Sequence, residues 1–378
     1  MQKEGKCNMK VLLSGYYGFD NAGDEAVLYA IIRALRQADP EMDITVLSNQ
    51  PEKTAQAFDV KVVDRWSKGG LVKAVKNCDI LVSGGGSLLQ DVTSKNGIIY
   101  YLGIIKLAQI LKKKVMIYAQ GIGPVNHGRN RKLVRKILNK VDAITVRDLD
   151  SRMELMQMGV YREIMVCADP VMGILAEEID AEAGKALLVQ GGIDSNNAKP
   201  ILMVAARSWQ DNARLFAEVA AYCDHAVQAG WKVVLLPFHY PDDVAAGRQI
   251  VSQMKTTQLH AQNDVIVLEG NYTPQDTMAL LKNADLILGM RLHSLIMGAG
   301  LLKPMIALSY DPKVESFMQL LRQKECFTVE TVTAAQLDLA MEHLLHRSEK
   351  EVLMQKSFVE IMVRQAKEPA ELLLKLFK

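Results

Sequence analysis

Short, unbroken apolar runs that end in a glycine-bearing or polar turn and then give way to a helical stretch recur along this chain. No other feature constrains its fold as much. Lys10–Ser14 (KVLLS) leads through Gly15 into an amphipathic stretch over Ala22–Ala38, and Ile44–Leu47 is a second run. Asp79–Ser83 (DILVS) leads into Gly84-Gly85-Gly86. A helical stretch over Tyr100–Lys113 precedes Val115–Ala119 (VMIYA), and another over Arg129–Leu138 precedes Ala143–Val146. Asp150–Met158 then precedes Ile164–Cys167. Strands that alternate polar and apolar residues have one wet face; continuous apolar strands are covered on both. Joined by helices, they form a parallel sheet.

The alternation breaks over residues 176–199, which are acidic and then rich in Gly, Asn and Ser before Pro200. This stretch reads as a linker. The pattern restarts with strands at Ile201–Ala205, Lys232–Leu236, Val265–Leu268, Asp285–Leu288 and Pro304–Leu308. Helices are expected between them over Asn212–Ala229, Pro241–Thr256, Thr273–Asn283 and Leu292–Ala299. The spacing therefore predicts an N-terminal domain over 1–175, a linker over 176–199 and a C-terminal domain over 200–349. A helical segment over 350–378, opening with Lys350–Ala366, is expected to pack back on the N-terminal domain. The fold class is α/β, with two Rossmann-like, doubly wound domains facing a cleft. Ligands of such sheets bind beyond the carboxyl ends of the strands, so the residues just after each strand are the functional candidates.

Composition narrows the chemistry. Of 378 residues, 49% are hydrophobic and 23% charged, enough apolar material for two cores; a net charge of +2 excludes a polyanion such as nucleic acid as the main partner. Cys7, Cys78, Cys167, Cys223 and Cys326 are odd in number and scattered. They read as reduced thiols of a cytoplasmic protein without a disulfide framework. The polar start Met1–Lys10 carries no signal-peptide run, and no stretch reaches the roughly 18 apolar residues of a membrane span. No histidine–carboxylate cluster has metal-ligand spacing, so no metal is expected.

Six motifs sit at strand ends. Gly15–Ala26 (GYYGFDNAGDEA) opens the first long helix, and its glycines with the free N–H groups of the helix start suit an anion. They lack the dinucleotide GxGxxG spacing. Gly18, Asn21, Gly23 and Glu25 are cleft-lining candidates here, and Asp24 is a candidate acid. Asp24 and Glu25 could equally serve as first-turn caps. Ser83–Asp91 carries Gly85 and Gly86, with Ser87 as a helix cap; Gln120-Gly121-Ile122-Gly123-Pro124 adds Gln120. Arg147 is either cleft-facing or paired with the adjacent Asp148. Arg207 is either an anion grip or folded over Trp209. The sharpest motif is Gly289-Met290-Arg291-Leu292-His293-Ser294, which joins a strand to a helix. Arg291 offers a bidentate grip, and His293, titrating near neutrality, is a candidate general acid or base. His239 is the second-choice histidine, and Lys313 is either a further cation of the site or a surface lysine. The basic stretch Arg129, Arg131, Lys132, Arg135, Lys136 and Lys140 is either a solvated face or a patch for anionic headgroups or a diphosphate.

Taken together, GYYGFDNAGDEA, the triple glycine, QGIGP, Val146-Arg147-Asp148, Asp169-Pro170 and GMRLH resemble the polysaccharide pyruvyl transferases, in particular the CsaB type. The resemblance runs from about Lys10 to about Val314. It implies a GT-B-like fold and an enzyme that uses phosphoenolpyruvate as a substrate, without a cofactor, to build a pyruvate ketal on a sugar. For the CsaB type, the acceptor is N-acetylmannosamine of a lipid-diphosphate-linked disaccharide, in the synthesis of secondary cell-wall polymers that anchor the S-layer. It assigns Arg291, the Leu292 backbone and His293 to the donor, with Arg207 beside them and Arg147 as second choice. Where the family pattern has Arg-Pro-Trp, this chain has Arg207-Ser208-Trp209. The acceptor then belongs to the N-terminal domain. The protein is expected in the cytoplasm, with peripheral contact at the inner face of the plasma membrane through helix 129–140. A nucleotide-sugar glycosyltransferase of the same fold is the alternative, and a non-catalytic glycan-binding protein a third reading.

Overall fold

The computed structural model describes residues 8–92, 96–193, 199–210, 213–256 and 264–377. Cys7, Asn212, His260 and residues 194–198 of the expected linker lie outside the described residues. The chain divides into two compact units. The first comprises Met1–Phe19, Asp24–Gly173 and Met362–Lys378; the second comprises Asp20–Gly23 and Ile174–Ile361.

In the first unit the order is β1 (Lys10–Ser14), α1 (Ala22–Ala38), β2 (Asp43–Ser48), α2 (Pro51–Phe58), β3 (Lys61–Asp64), α3 (Lys68–Asn77) and β4 (Ile80–Gly84). There follow α4 (Gly97–Ile110), β5 (Lys114–Gln120), α5 (Gly128–Leu138), β6 (Ala143–Val146), α6 (Leu149–Gln157) and β7 (Ile164–Val166). The seven strands lie parallel in the order β3-β2-β1-β4-β5-β6-β7. Register matches Leu13 of β1 with Val46 of β2 and Val82 of β4. Strands buried on both faces must be apolar on both, which is why these read as unbroken runs. One face is packed by Ile98, Leu102 and Ile105 of α4 and by Val134 and Leu138 of α5, all 2% exposed or less.

In the second unit come α7 (Ala181–Gln190), β8 (Ile201–Ala205), α8 (Ala213–Gln228), β9 (Lys232–Leu235), α9 (Asp242–Gln253), β10 (Val265–Val267) and α10 (Pro274–Lys282). Next are β11 (Leu286–Gly289), α11 (Leu292–Gly300), β12 (Met305–Ser309), α12 (Pro312–Leu320), β13 (Cys326–Thr328) and α13 (Ala334–Leu345). The sheet order is β10-β9-β8-β11-β12-β13, again all parallel. Its core is carried by α8, whose Leu215, Phe216, Val219, Cys223 and Ala226 recur at helical spacing and are buried together. Truncating Phe216, fully buried, to Ala would cost about 3–5 kcal/mol. The chain closes with α14 (Glu349–Gln365), within which the change back to the first unit falls, and α15 (Glu368–Lys375).

Both sheets carry the two-directional winding of a doubly wound fold. The crossovers depart in opposite directions between β1 and β4 and between β8 and β11, and those positions are where such sheets bind ligands. The described part of the stretch expected as a linker, residues 176–193, is largely helical. Asp180 caps α7 by accepting from the N–H groups of Glu182 and Ala183. A side chain at Gly184 would overlap the Ala279 carbonyl of α10, so the glycine allows two helices to pack backbone to backbone.

Candidate active site

The second unit gathers the sharpest sequence motif into one cluster. Gly289, the last residue of β11, is in register with Ala205 of β8, and Met290 N–H donates to the Ala205 carbonyl at 2.9 Å. Arg207 and Arg291 therefore leave adjacent strands from equivalent positions. Arg291 stands at the N-cap of α11, and Ser294 Oγ donates back to its carbonyl at 2.6 Å. Its guanidinium lies along the carboxylate of Asp243, with Nε at 3.0 Å from Oδ2 and Nη2 at 2.5 Å from Oδ1. Asp243, 1% exposed at its side chain, also accepts from the backbone N–H groups of Phe238 (3.1 Å) and His239 (2.9 Å). The full bidentate grip expected of Arg291 is thus partly committed inside the protein. Its Nε–Nη2 edge holds Asp243, leaving the Nη1 side for another acceptor. Such fixing keeps a charged donor aimed without side-chain entropy loss on binding.

His293 is the second residue of α11 and half-buried. The backbone at Gly23 passes so close that an added Cβ would overlap the imidazole, so any larger residue there must displace the ring. The segment Asp20–Gly23 is held against the loop after β9. Ala22 N–H donates to the Phe238 carbonyl at 2.7 Å, Tyr240 N–H to the Asp20 carbonyl at 3.0 Å, and Asn21 bridges His239. Asn21 Oδ1 accepts from Gly23 N–H at 3.1 Å, in the manner of a helix cap. Asn21, Gly23, His239, Asp243, Arg291 and His293 thus form one neighbourhood. His239 Nδ1 lies 3.1 Å from Asp242 Oδ2.

Arg207 is held differently. Its Nη1 donates to the Tyr310 hydroxyl at 3.0 Å, and its guanidinium lies 4.8 Å from the Tyr310 ring centre and 5.3 Å from that of Trp209. The side chain rests on two aromatic faces, which orient its charge, and among the described residues no carboxylate pairs with it. Leu292 opens α11, where backbone N–H groups lack an intrahelical acceptor. Lys313 is the second residue of α12, past the adjacent strand β12.

The first unit brings the glycine motifs together. Ser14 of β1 is in register with Ser83 of β4. The Tyr17 hydroxyl, 1% exposed, donates to the Gly84 carbonyl at 2.7 Å, and burial pushes its pKa well up. Gly18 has φ +76°, and its N–H donates to Glu25 Oε1 at 2.6 Å; Glu25 thereby closes the turn in front of α1. Gly85 and Gly86 have φ +68° and +62°, and a Cβ on Gly86 would stand 2.6 Å from Asp24 Oδ1. Asp24 and the triple glycine thus share one corner.

Two expected site residues are interior. Gln120 is fully buried, and its amide donates to the Ser83 carbonyl (2.9 Å) and Ser83 Oγ (2.8 Å). It pins β5 to β4 rather than presenting itself to a ligand. Arg147, 7% exposed, reaches Asp169 at 3.1 Å, Ser87 Oγ at 3.1 Å and Asp148 at 3.6 Å. It ties three strand-end loops of the first unit and lies in a different unit from Arg291.

Sequence reasoning missed Asp243, hidden as an ordinary acid at a helix start, and Arg65. Arg65 follows β3, is 4% exposed, and donates to the Gly15 carbonyl (3.0 Å) and the Tyr101 hydroxyl (3.3 Å). Its guanidinium sits 4.5 Å from the Tyr100 ring centre, 4.9 Å from Phe19 and 5.3 Å from Trp66. Tyr16 stacks on Phe19 at 4.0 Å, and Tyr16 and Trp66 expose 37% and 60% of their surface. Burial raises the Tyr101 pKa to about 12, against the opposing pull of Arg65. Among the described residues no group of three or more His, Cys, Asp and Glu gathers as metal ligands would, and no helix is long and apolar enough to cross a membrane.

The chain is 20% identical over 368 residues to the amylovoran biosynthesis protein AmsJ of Erwinia amylovora, covering 83% of this chain and 86% of that protein. Its fold is similar to the UDP-GlcNAc 2-epimerase of Methanocaldococcus jannaschii, with a TM-score of 0.64 at 15% identity over 90% of this chain and 93% of that one. It is also similar to a glycosyltransferase of Rickettsia africae, with a TM-score of 0.64 at 13% identity over 98% of each chain. These likenesses place the two Rossmann-like units in the GT-B-like class. The model of one family, polysaccharide pyruvyl transferase, matches residues 21–312, a span that contains Asn21, Gly23, Arg207, Asp243, Arg291 and His293, and the chain belongs to that family.

Proposed function

We propose that this protein transfers the pyruvyl group of phosphoenolpyruvate to two hydroxyls of a sugar, forming a pyruvate ketal and releasing phosphate. The observation that carries the reading is the strand-end cluster of the second unit. There Arg207 and Arg291 leave neighbouring strands from one register position, with His293 beside them. Phosphoenolpyruvate carries a carboxylate and a phosphate a few bonds apart. Two arginines fixed by other groups supply charge to both without reorganising. The N–H groups at the start of α11, Leu292 first, add donors to the same anion.

In the proposed chemistry, protonated His293 delivers its proton to the methylene carbon, leaving an oxocarbenium-like centre at C2. One sugar hydroxyl adds there and loses its proton. The C2–O bond to phosphate then breaks, and the second hydroxyl closes the ketal as its proton leaves. Asp24, with Glu25 as the alternative, is the proposed proton acceptor. The exposed rings of Tyr16 and Trp66 around Arg65 support assigning the acceptor sugar to the first unit, since sugars present apolar faces that stack on aromatic rings. The motifs of the CsaB type favour N-acetylmannosamine of a lipid-diphosphate-linked disaccharide as acceptor, and hence a role in secondary cell-wall polymer and S-layer anchoring. The relation to an amylovoran biosynthesis protein supports work on a polysaccharide more broadly.

The test is incubation with phosphoenolpyruvate and a synthetic diphosphate-lipid disaccharide, with UDP-sugars as rival donors. The expected result is phosphate release matched by the mass gain of one pyruvyl ketal, abolished in His293→Ala. Sugar transfer from a UDP-sugar, or ketal formation unaffected by His293→Ala in the folded protein, would overturn the assignment.

A further inference from the structure

Helix α5 and the helix after it build a surface that the proposed reaction does not use. Arg129, Lys132, Arg135, Lys136 and Lys140 are all exposed, and among the described residues only Arg131 of this basic stretch forms an ion pair, with Glu154 at 2.6 Å. That pair joins α5 to α6. The Asn139 side chain joins the end of α5 to the turn after α6, donating to the Gly159 carbonyl at 3.0 Å and accepting from Tyr161 N–H at 2.9 Å. Helix α5 and that turn frame a depression of about 570 Å³ lined by Lys132, Arg135, Lys136, Lys140, Asn139 and Tyr161.

Beside the cations lies apolar surface that a water-facing helix would not normally carry. Leu149, Met153 and Met156 recur at spacings of four and three on α6, and 62%, 50% and 50% of their surface is exposed. Leu155 and Met158 face the interior instead. Tyr161 follows, 83% exposed. An outward stripe of Leu and Met on one helix, next to a row of Lys and Arg on its neighbour, is the composition of a peripheral membrane contact. The cations meet anionic headgroups, and flexible apolar side chains with a tyrosine enter the boundary with the acyl chains.

We propose that the α5–α6 face docks the protein on an anionic lipid surface. The depression receives a lipid phosphate and the stripe Leu149–Met153–Met156 dips below the headgroups. The occupant is a bilayer rather than a soluble polyanion because the apolar stripe gains nothing from phosphate or RNA. This inference is independent of the donor and of the chemistry proposed above.

The experiment is co-sedimentation of the full chain with vesicles of phosphatidylcholine alone or with phosphatidylglycerol added. The variants are Lys132→Glu/Lys136→Glu/Lys140→Glu and Met153→Ser/Met156→Ser, with their folding checked by thermal melting. The parent should bind only the anionic vesicles, more weakly as salt rises. The charge-reversed protein should bind at least ten-fold more weakly, and the serine variant should lose the residual binding at high salt. Both should turn over a water-soluble acceptor as the parent does. The proposal is overturned if the parent ignores anionic vesicles, or if charge reversal leaves binding intact. Displacement from vesicles by inorganic phosphate, beyond what chloride of equal ionic strength achieves, would reassign the depression to a soluble anion. Displacement by poly(U) with the serine variant unaffected would reassign it to nucleic acid.

Discussion

Replacing Asp243 by Ala tests the ordering of the candidate site most directly. The carboxylate accepts from two backbone N–H groups and two guanidinium N–H groups, and its side chain is 1% exposed. Removing it strands the two N–H groups of the loop after β9 and leaves the Arg291 charge, 16% exposed, without its counter-ion. Breaking a buried ion pair from one side costs about 3–5 kcal/mol. In a unit of roughly 190 residues, each kcal/mol lowers the melting temperature by about 2–4 °C, so a fall of about 6–20 °C is expected. Arg291→Ala should cost less, because Asp243 keeps two N–H donors. The double variant should be more stable than the two single losses added together, since removing both partners leaves fewer stranded groups. Calorimetry on the four proteins gives the coupling energy, expected at about 1–3 kcal/mol. Activity should fall in all three variants, because Arg291 either swings without Asp243 or is absent. A melting temperature for Asp243→Ala within 2 °C of the parent, or strictly additive losses, would refute the claim that this pair fixes Arg291.

Gly23→Ala should fold with at most a small change in melting temperature yet lose at least ten-fold in turnover, because the new methyl displaces the His293 ring; a fully active variant would show that the ring position is unimportant. Asp91 receives N–H groups from Asn126 (2.7 Å) and His127 (3.0 Å) and the Asn130 amide (2.9 Å); burial alone would raise its pKa, but these bonds outweigh it and hold the carboxyl below its ordinary value. A carboxyl depressed in the folded state stabilises fully above about pH 4 and ceases to as pH falls through its folded value, so Asp91→Asn should cost about 1–2 kcal/mol at pH 7 and approach the parent as pH falls through that folded value; denaturant titrations showing a constant gap would exclude this. Burial pushes the thiols of Cys78 and Cys326 up to about 11, and those of Cys167 and Cys223 higher still. At pH 8 roughly one in a thousand of the first pair is thiolate, so peptide mapping after iodoacetamide should find Cys78, Cys167 and Cys223 unlabelled until denaturation and the half-buried Cys326 labelled slowly; rapid labelling of any of the first three contradicts its burial.

The strands that announce themselves in the sequence are those in the middle of the sheets. Residues 11–13 of β1 and 202–205 of β8 are buried, and all are apolar. β3 (KVVD) and β13 (CFT) are edge strands with half-exposed residues, and α2 and α3 are short and weakly apolar, so none left a readable period. That omission hid Arg65, whose place after β3 gives it meaning only once β3 is known to neighbour β2. α7 was masked by its acidic start and by the Gly-rich residues after it, although Asp180 is a capping residue in plain view. Arg291 and His293 were legible because glycine, arginine and histidine follow an apolar run. Asp243 was not, because a carboxylate that neutralises an arginine 48 residues away leaves no local trace.

The equal departure of Arg207 and Arg291 from Ala205 and Gly289 gives the site a ruler made of backbone. Neighbouring strands in any sheet lie about 4.8 Å apart, a spacing set by peptide hydrogen bonds and untouched by side-chain drift. The interval from which the two arginine-bearing turns depart is therefore inherited from the sheet itself. Substitutions in the surrounding core can accumulate, as 20% identity with a relative allows, while that interval stays constant. On the proposed function, a donor would be sorted by the distance between its own anionic groups before any side chain adjusts to it.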